Sequence, residues 1–432
     1  MSSLPRLGIL VALAILGPVS IALAAPACSS SNDPAAADPT TTDDETDSGD
    51  VPPPCPANGV SKGPWSMAMT RTSGRIRWES CRAGSEGGLV LTPEGGGAEQ
   101  TLTSTETMKD LTVRHTAVLG PQRSPDDWPG PAWMHEVVLE SLPVGTCYQY
   151  ALAADRSLTG RFCTSRPDGA DVHFVAIGDT NPLLGEIVPK LIAKVVPLAP
   201  DFLVHGGDIQ YYESAFETWT GWFPLMRPLL ALGALQPALG NHEHETPDEL
   251  DDYSNRFFGY PNFGGELTYY RYESAGIWFH VLDTEQAVEP ETTQGKWLLA
   301  GLEEVSKKPG FRFSVLVMHR PFVTCGDNAQ NQAARTGYAS ALAQYKVPLV
   351  LQAHIHGYER FEIDGVTYIT TGGGGGLIGD MDENISRDEC AMRKSSGGFV
   401  HALDVTVSGG SIHARAIDAN GTERDSFAIT VP

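Results

Sequence analysis

Between residues 175 and 360 the chain repeats one local pattern: a short, strand-like apolar run that ends in a compact polar cluster. The clusters read VAIGDTN (175–181), LVHGGDIQYY (203–212), PALGNHEHE (237–245), VLVMHR (315–320) and LQAHIHGYER (351–360). Each places Asp, Asn, Tyr or His where the apolar run stops. In an open α/β sheet the carboxyl ends of strands are where ligands gather. Hard oxygen donors mixed with imidazoles are what divalent or trivalent cations require. A bridging carboxylate can hold two such ions roughly 3.5–4 Å apart, the spacing that clamps both oxygens of a phosphoryl displacement. The pattern therefore points to two-metal hydrolytic chemistry.

Two of the clusters carry a more specific signature. Gly207-Asp208-Ile209-Gln210-Tyr211 matches Gly-Asp-x-x-Tyr, and Ala353-His354-Ile355-His356-Gly357-Tyr358-Glu359-Arg360 is similar to Gly-His-x-His-x-Tyr-Glu-Arg. In these motifs and in the order of all five clusters, the chain resembles the calcineurin-like metallophosphoesterases, and within them the purple acid phosphatases. A lone Gly-Asp or His-x-His would carry little weight; five clusters in order carry much more.

The resemblance implies one metal held by Asp179, Asp208, Tyr211 and His356. A second is implied at Asp208, Asn241, His319 and His354, with Asp208 bridging. His242 would face the substrate, either as proton donor to the leaving oxygen or as a phosphate contact. The implied cofactors are Fe(III) plus a divalent ion (Zn, Mn or Fe). The implied activity is phosphomonoester hydrolysis of acid phosphatase type, by attack of a metal-bound hydroxide. A phosphodiesterase or nucleotidase on the same metals is the alternative among enzymes; a catalytically inactive surface-binding lipoprotein is the alternative outside them. The chain departs from the motifs at Asp179-Thr180-Asn181, where Asp-x-Gly is usual, and at Ala353, where Gly is usual. Asn181 could add an oxygen ligand or cap the following helix.

The residue types suit that chemistry without the family. Bound cations cancel the charge of a phosphate ester and lower the pKa of water. A Tyr211 phenolate suits ferric iron, and no Cys lies in the clusters to favour a soft metal. An imidazole such as His242 supplies the acid that a poor alkoxide leaving group needs.

Other residues read as structural. His205 and His280 lie inside apolar runs and are expected in the core; His244 is expected in a loop, and His115, His135, His401 and His413 in β-like segments. Tyr358, Glu359 and Arg360 are expected to brace their loop. The glycine run 372–376 is expected to let backbone pass close to the metals.

With 432 residues the chain has room for more than one domain. Arg6, an apolar stretch from Leu7 to Ala25 broken by Gly17-Pro18, and Ala-Pro-Ala-Cys read as an export signal over 1–27, with Cys28 as the lipidated residue of a bacterial lipoprotein. Plain cleavage to a periplasmic or secreted protein stays open. Residues 28–58 read as a solvated acidic, Pro-rich tether: seven acidic residues and no basic ones lie between Ser29 and Asp50. The net charge of −23 argues against nucleic acid. The expected partner is a small phosphorylated substrate, with membrane contact only through the lipid; oligomeric state is not readable.

Seven cysteines fit an oxidising compartment. Cys147 and Cys163 sit in successive strand-like runs and could face each other, closing a loop worth roughly 3 kcal/mol. Cys55 with Cys81 and Cys325 with Cys390 are the simplest other pairs, but sequence does not fix connectivity. Residues 59–167 carry short strand signals at 76–78, 89–91, 135–139 and 148–150, separated by turns. They suggest a β-sandwich, and Leu142-Pro143-Val144-Gly145-Thr146 before Tyr-x-Tyr resembles the fibronectin-type III-like domain of the family. Residues 168–432 are the expected metallophosphoesterase domain, with helix-like stretches at 183–196, 213–229, 292–305 and 329–343 and strand pairs at 361–371 and 398–430. The resemblance implies a four-layer α/β (α+β) sandwich: two mixed sheets face to face, flanked by helices.

Overall fold

The computed structural model describes residues 55–84, 87–110, 131–181, 186–211, 219–244, 255–259, 268–327 and 329–431. The export signal, Cys28, the tether as far as Pro54, His115 and the first residues of the helix-like stretches 183–196 and 213–229 lie outside them.

Three short apolar segments make the centre of a ten-stranded sheet: Val172–Ile177, Phe202–His205 and Ala234–Pro237. They run parallel and are buried along nearly their whole length, so neither face alternates with polar residues. The register sets Ile177 beside His205 and His205 beside Pro237. The three strands thus end at one level, and Asp179, Asp208 and Asn241 emerge together a few residues later. On the other side, Val172–Ile177 pairs antiparallel with His401–Ser408, which makes the sheet mixed.

A seven-stranded sheet faces it. Its central strands Ile277–Val281, Phe313–Val317, Leu349–Gln352 and Val366–Thr371 are parallel, with Val317 beside Leu351. His319 and His354 follow those strand ends. Alternation along these strands divides their side chains between two layers. Val315, Val317, Leu349, Leu351 and Ile369 join the core shared with the first sheet. Leu316, Met318, Val350 and Tyr368 pack instead with Leu298, Leu302, Tyr338 and Leu342 of the helices Thr293–Ser306 and Gln332–Gln344. Between the sheets, Phe279 meets Phe174 and Phe202 edge-on, at centroid distances of 5.4 and 5.5 Å.

The helices have local causes. Thr292 and Asn331 accept from the backbone N–H groups of Gly295 and Ala334, capping the two helices on the second sheet. On the first sheet, Ile187–Val195 buries Val188, Leu191, Ile192 and Val195, one stripe of a 3.6-residue period. The helix Trp219–Leu230 seals its side with aromatic rings, Phe223 lying 4.8 Å from Trp65 between centroids. Helices outside two packed mixed sheets complete the four layers.

The strand runs read in 59–167 are strands, and they fall into two antiparallel groups. Gln100–Thr103, Gly88–Pro93, Cys147–Leu152 and Thr159–Cys163 form a separate sheet. Val60–Met67, Gly74–Ser80, Pro131–Leu139 and Thr105–Asp110 continue the ten-stranded sheet, joined where Met67 lies parallel beside Leu235. The segment 398–430 holds three strands, not one pair: His401–Ser408, Ser411–Asp418 and Glu423–Thr430. Gly409 and Gly421, both at positive φ, turn the chain twice. Disulfides join Cys55 to Cys81, Cys147 to Cys163 and Cys325 to Cys390; the second spans directly opposed residues of neighbouring strands. Among the described residues no helix is long and apolar enough to cross a membrane.

Candidate metal centre

The strand ends deliver the polar clusters to one place. Two groups of donors form there, Asp208 with His319 and His354, and Asp179 with Asp208 and His356. Asp208 belongs to both. Asp179, Asp208 and His354 all have left-handed backbone, at φ values of 57°, 49° and 69°. That conformation is unfavourable for a residue with a side chain, and it clusters where function dictates backbone shape.

In the first group, His319 Nε2 lies 3.2 Å from Asp208 Oδ1, 3.1 Å from Asn241 Oδ1 and 3.0 Å from His354 Nδ1. The other His319 nitrogen, Nδ1, donates to the Gly206 carbonyl at 3.0 Å, which turns Nε2 towards the shared centre. In the second group, the Tyr211 hydroxyl lies 3.1 Å from Asp179 Oδ1, 3.3 Å from Asp208 Oδ2 and 2.9 Å from His356 Nε2. His356 Nδ1 donates to the Leu377 carbonyl at 2.7 Å, aiming Nε2 inward. Fixing the tautomer through the outer nitrogen is how metal-ligating imidazoles are held. Donor atoms in two sets that share one carboxylate fit a pair of cations, with hard oxygens and imidazoles and no sulfur.

The electrostatics say the same. Burial opposes charge on His319, yet Asp208 beside it pushes its pKa up to about 9. Burial also works against the Asp208 carboxylate, and His319 with His242 holds it well below the usual range. Burial, then the neighbouring His319, pushes His354 down to about 4. Burial, reinforced by Asp179 and Asp208, raises Tyr211 far above an ordinary phenol. The cluster concentrates acceptors that call for positive charge.

His242 stands beside this centre. Its backbone N–H donates to Asp208 Oδ1 at 3.0 Å, its ring leans on Tyr211 at 4.1 Å between centroids, and its Nε2 lies 3.8 Å from Asp208 Oδ2. The ring is therefore close to the donors without being one of either group.

The glycine run serves close approach: a Cβ on Gly376 would fall 2.6 Å from the His356 ring. Ala353 fills space that Gly178 and Gly206 leave open, since a Cβ on either would come within 2.8 Å of its own. Asn181 is buried; the described helix begins at Ile187 with Glu186 at its N-cap, and residues 182–185 lie outside the described residues. His205 is a core histidine: Thr180 Oγ1 lies 2.9 Å from its Nε2, and burial pushes its pKa down to about 4. Glu359 accepts from the Thr324 hydroxyl and the Cys325 N–H, and Tyr358 and Arg360 both bond Asp425, so these three brace their loop.

Two residues at the site escape a reading by motif. Glu243 is buried and accepts three backbone N–H bonds, from Asp208 at 3.0 Å, Ile209 at 2.8 Å and Gly240 at 2.7 Å. It ties the loop of the bridging carboxylate to the loop of Asn241. An acid inside Asn241-His242-Glu243 was the available signal, hidden by the acidic stretch after it. Arg320 directly follows His319, and its Nη1 lies 3.4 Å from His354 Nε2.

Residues 170–358 match the model of the calcineurin-like phosphoesterase family. The chain is 25% identical over 267 residues to "Probable purple acid phosphatase 20" of Arabidopsis thaliana, covering 57% of this chain and 61% of the relative. It is 24% identical over 264 residues to "Purple acid phosphatase 22" of the same plant, covering 57% and 59%. The chain thus spans about six-tenths of the length of these relatives. Its fold is similar to that of a purple acid phosphatase from yellow lupin (Lupinus luteus) seeds, with a TM-score of 0.70, 16% identity, and coverage of 85% of this chain and 74% of that one. Relatives of this kind imply a dinuclear metal site where the donors converge. Residues 170–358 are thus similar to the calcineurin-like phosphoesterases, and the chain is similar to purple acid phosphatases in sequence and in fold.

Proposed function

We propose that this protein is a phosphomonoesterase of acid phosphatase type, with Asp179, Asp208, Tyr211 and His356 around one cation and Asp208, Asn241, His319 and His354 around the other. The observation that carries the reading is the sharing of Asp208 between two converging donor groups. Two bound cations would neutralise the phosphoryl oxygens and acidify a water. The buried phenol of Tyr211 is a hard oxygen donor suited to ferric iron, so Fe(III) with Zn, Mn or Fe is the proposed pair. His242, beside both groups, gives a proton to the leaving oxygen. Asp208 fixes the two groups to each other, and His319 and His356 are aimed by backbone carbonyls before any substrate arrives, which is preorganisation.

The rest of the chain is proposed to bring this domain to an oxidising compartment. Residues 1–27 direct export, Cys28 carries lipid, 28–58 act as a spacer, and 59–167 form the β-domain ahead of the hydrolase at 168–432. Purified protein assayed on monoesters, diesters and nucleotides across pH, with metal content measured on the same sample, tests the function. Two metals per chain with monoester hydrolysis strongest at acid pH is the expected result. Two bound metals with no hydrolysis of any phosphate ester would overturn it.

A further inference from the structure

Arg320 brings a permanent positive charge to the edge of the donor cluster in a chain whose net charge is −23. It follows the strand Phe313–Val317 by way of His319, and its position is fixed from two sides. Its backbone N–H donates to Thr284 Oγ1 at 2.8 Å. Its guanidinium grips Glu285 with two parallel bonds, Nε to Oε1 at 2.7 Å and Nη2 to Oε2 at 3.1 Å. Glu285 lies just beyond the neighbouring parallel strand Ile277–Val281, so two adjacent strand ends hold the side chain in one orientation. A guanidinium has five N–H groups. The Glu285 fork takes one from Nε and one from Nη2, which leaves the outer edge formed by Nη1 and the second Nη2 hydrogen.

That edge faces the metal centre. Nη1 is 3.4 Å from His354 Nε2, while the other nitrogen of the same ring, Nδ1, points to His319 Nε2 at 3.0 Å. Arg320 therefore borders the donor group of the second cation directly, at its His354 imidazole. Asp327 lies nearby, its Oδ2 3.6 Å from His354 Nε2. The Arg320 side chain is 35% exposed, so it is open to solvent beside the centre. A purely structural clasp would need only the Glu285 fork; it would not account for an accessible donor edge beside a metal ligand.

We infer that Arg320 binds the non-bridging phosphoryl oxygens of the substrate and makes the site prefer dianionic phosphomonoesters to monoanionic phosphodiesters. This rests on the hydrolase reading above and deepens it. The physical reason is charge. A monoester above its second pKa, about 6, carries two negative charges and three acceptor oxygens. A diester carries one charge, and a second ester group occupies one of those oxygens. A fixed guanidinium fork gains more from the first than from the second.

The test uses the metal-loaded full chain at a pH near 7.5 in three forms: wild type, Arg320→Ala and Arg320→Lys. p-Nitrophenyl phosphate and bis(p-nitrophenyl) phosphate serve as monoester and diester, and inorganic phosphate affinity is measured by calorimetry with metal content checked on each sample. Arg320→Ala is expected to lower kcat/KM for the monoester and to weaken phosphate binding, each about 10- to 100-fold, the worth of one charged hydrogen bond. The diester should change much less, so the ratio of the two rates falls. Arg320→Lys should recover part of the ratio, because charge remains while the fork is lost. Equal losses on both esters, or unchanged phosphate affinity with full metal content, would overturn the assignment. If wild-type protein with two metals hydrolyses neither ester, the hydrolase reading fails, and the phosphate affinities of the three forms still decide the role of Arg320.

Discussion

His242 shows how a neighbour of the metal ligands is set apart from them. Its backbone supports Asp208 while its ring leans on Tyr211, so the imidazole reaches the front of the centre without joining either donor group. A general acid helps in proportion to the basicity of the leaving group. His242→Ala should therefore keep its metals and lose far more activity on an alkyl phosphate, about 10²- to 10⁴-fold, than on an aryl phosphate. Equal losses on the two esters would assign the ring to phosphate binding instead. Tyr211 raises a different question, because its hydroxyl is buried among carboxylates that resist its ionisation. A strongly acidic cation is what removes that proton. Protein loaded with iron should show a visible charge-transfer band, and Tyr211→Phe should lose the band while its circular dichroism is unchanged. Colourless iron-loaded wild type would remove Tyr211 from the ligand set.

At the scale of strands and loops, the centre is a product of register. Asp179, Asp208, Asn241, His319 and His354 are legible in the sequence because each closes an apolar run, and parallel strands in register bring such ends together. The helices on the second sheet are legible from their periodicity to within a few residues. The braces are not. Glu243 acts on backbone N–H groups of two loops, and no motif or period announces a bond of that kind. The pairing of Met67 with Leu235 depends on where two distant segments meet, which local pattern does not encode. Asn181 stays open between two roles in the sequence because composition does not place the start of the helix after it. The Glu243 brace makes a prediction at this scale. Burial, with Asp208 adding to it, pushes Glu243 up to about 7, yet its two oxygens serve three donors that set the loop of the bridging ligand. Glu243→Gln would turn an N–H group towards one of those donors. Metal retention against a chelator should fall about 10- to 100-fold, as when an outer partner of a metal ligand is lost, with Asp208 itself intact. Unchanged retention would show that the loops hold their shape without the carboxylate.

The whole molecule joins a disulfide-bearing folded body to an acidic leader. All three disulfides lie within the described residues and use every cysteine except Cys28. A cysteine that follows an apolar, small-residue-ended stretch, and that takes no part in those pairings, is placed as a modification site would be. The segment from Ser29 to Pro54 carries seven acidic residues, the last of them Asp50, and it lacks the apolar side chains needed to bury itself. Lipid on Cys28 would thus fix the enzyme at the envelope while leaving its centre open to small phosphorylated solutes. In a bacterial host that processes lipoproteins, wild-type protein should enter the detergent phase on partitioning, and Cys28→Ser should shift it to the aqueous phase or leave it unprocessed. Wild-type protein found wholly in the aqueous phase, with its amino terminus cut before or after Cys28, would establish plain secretion instead.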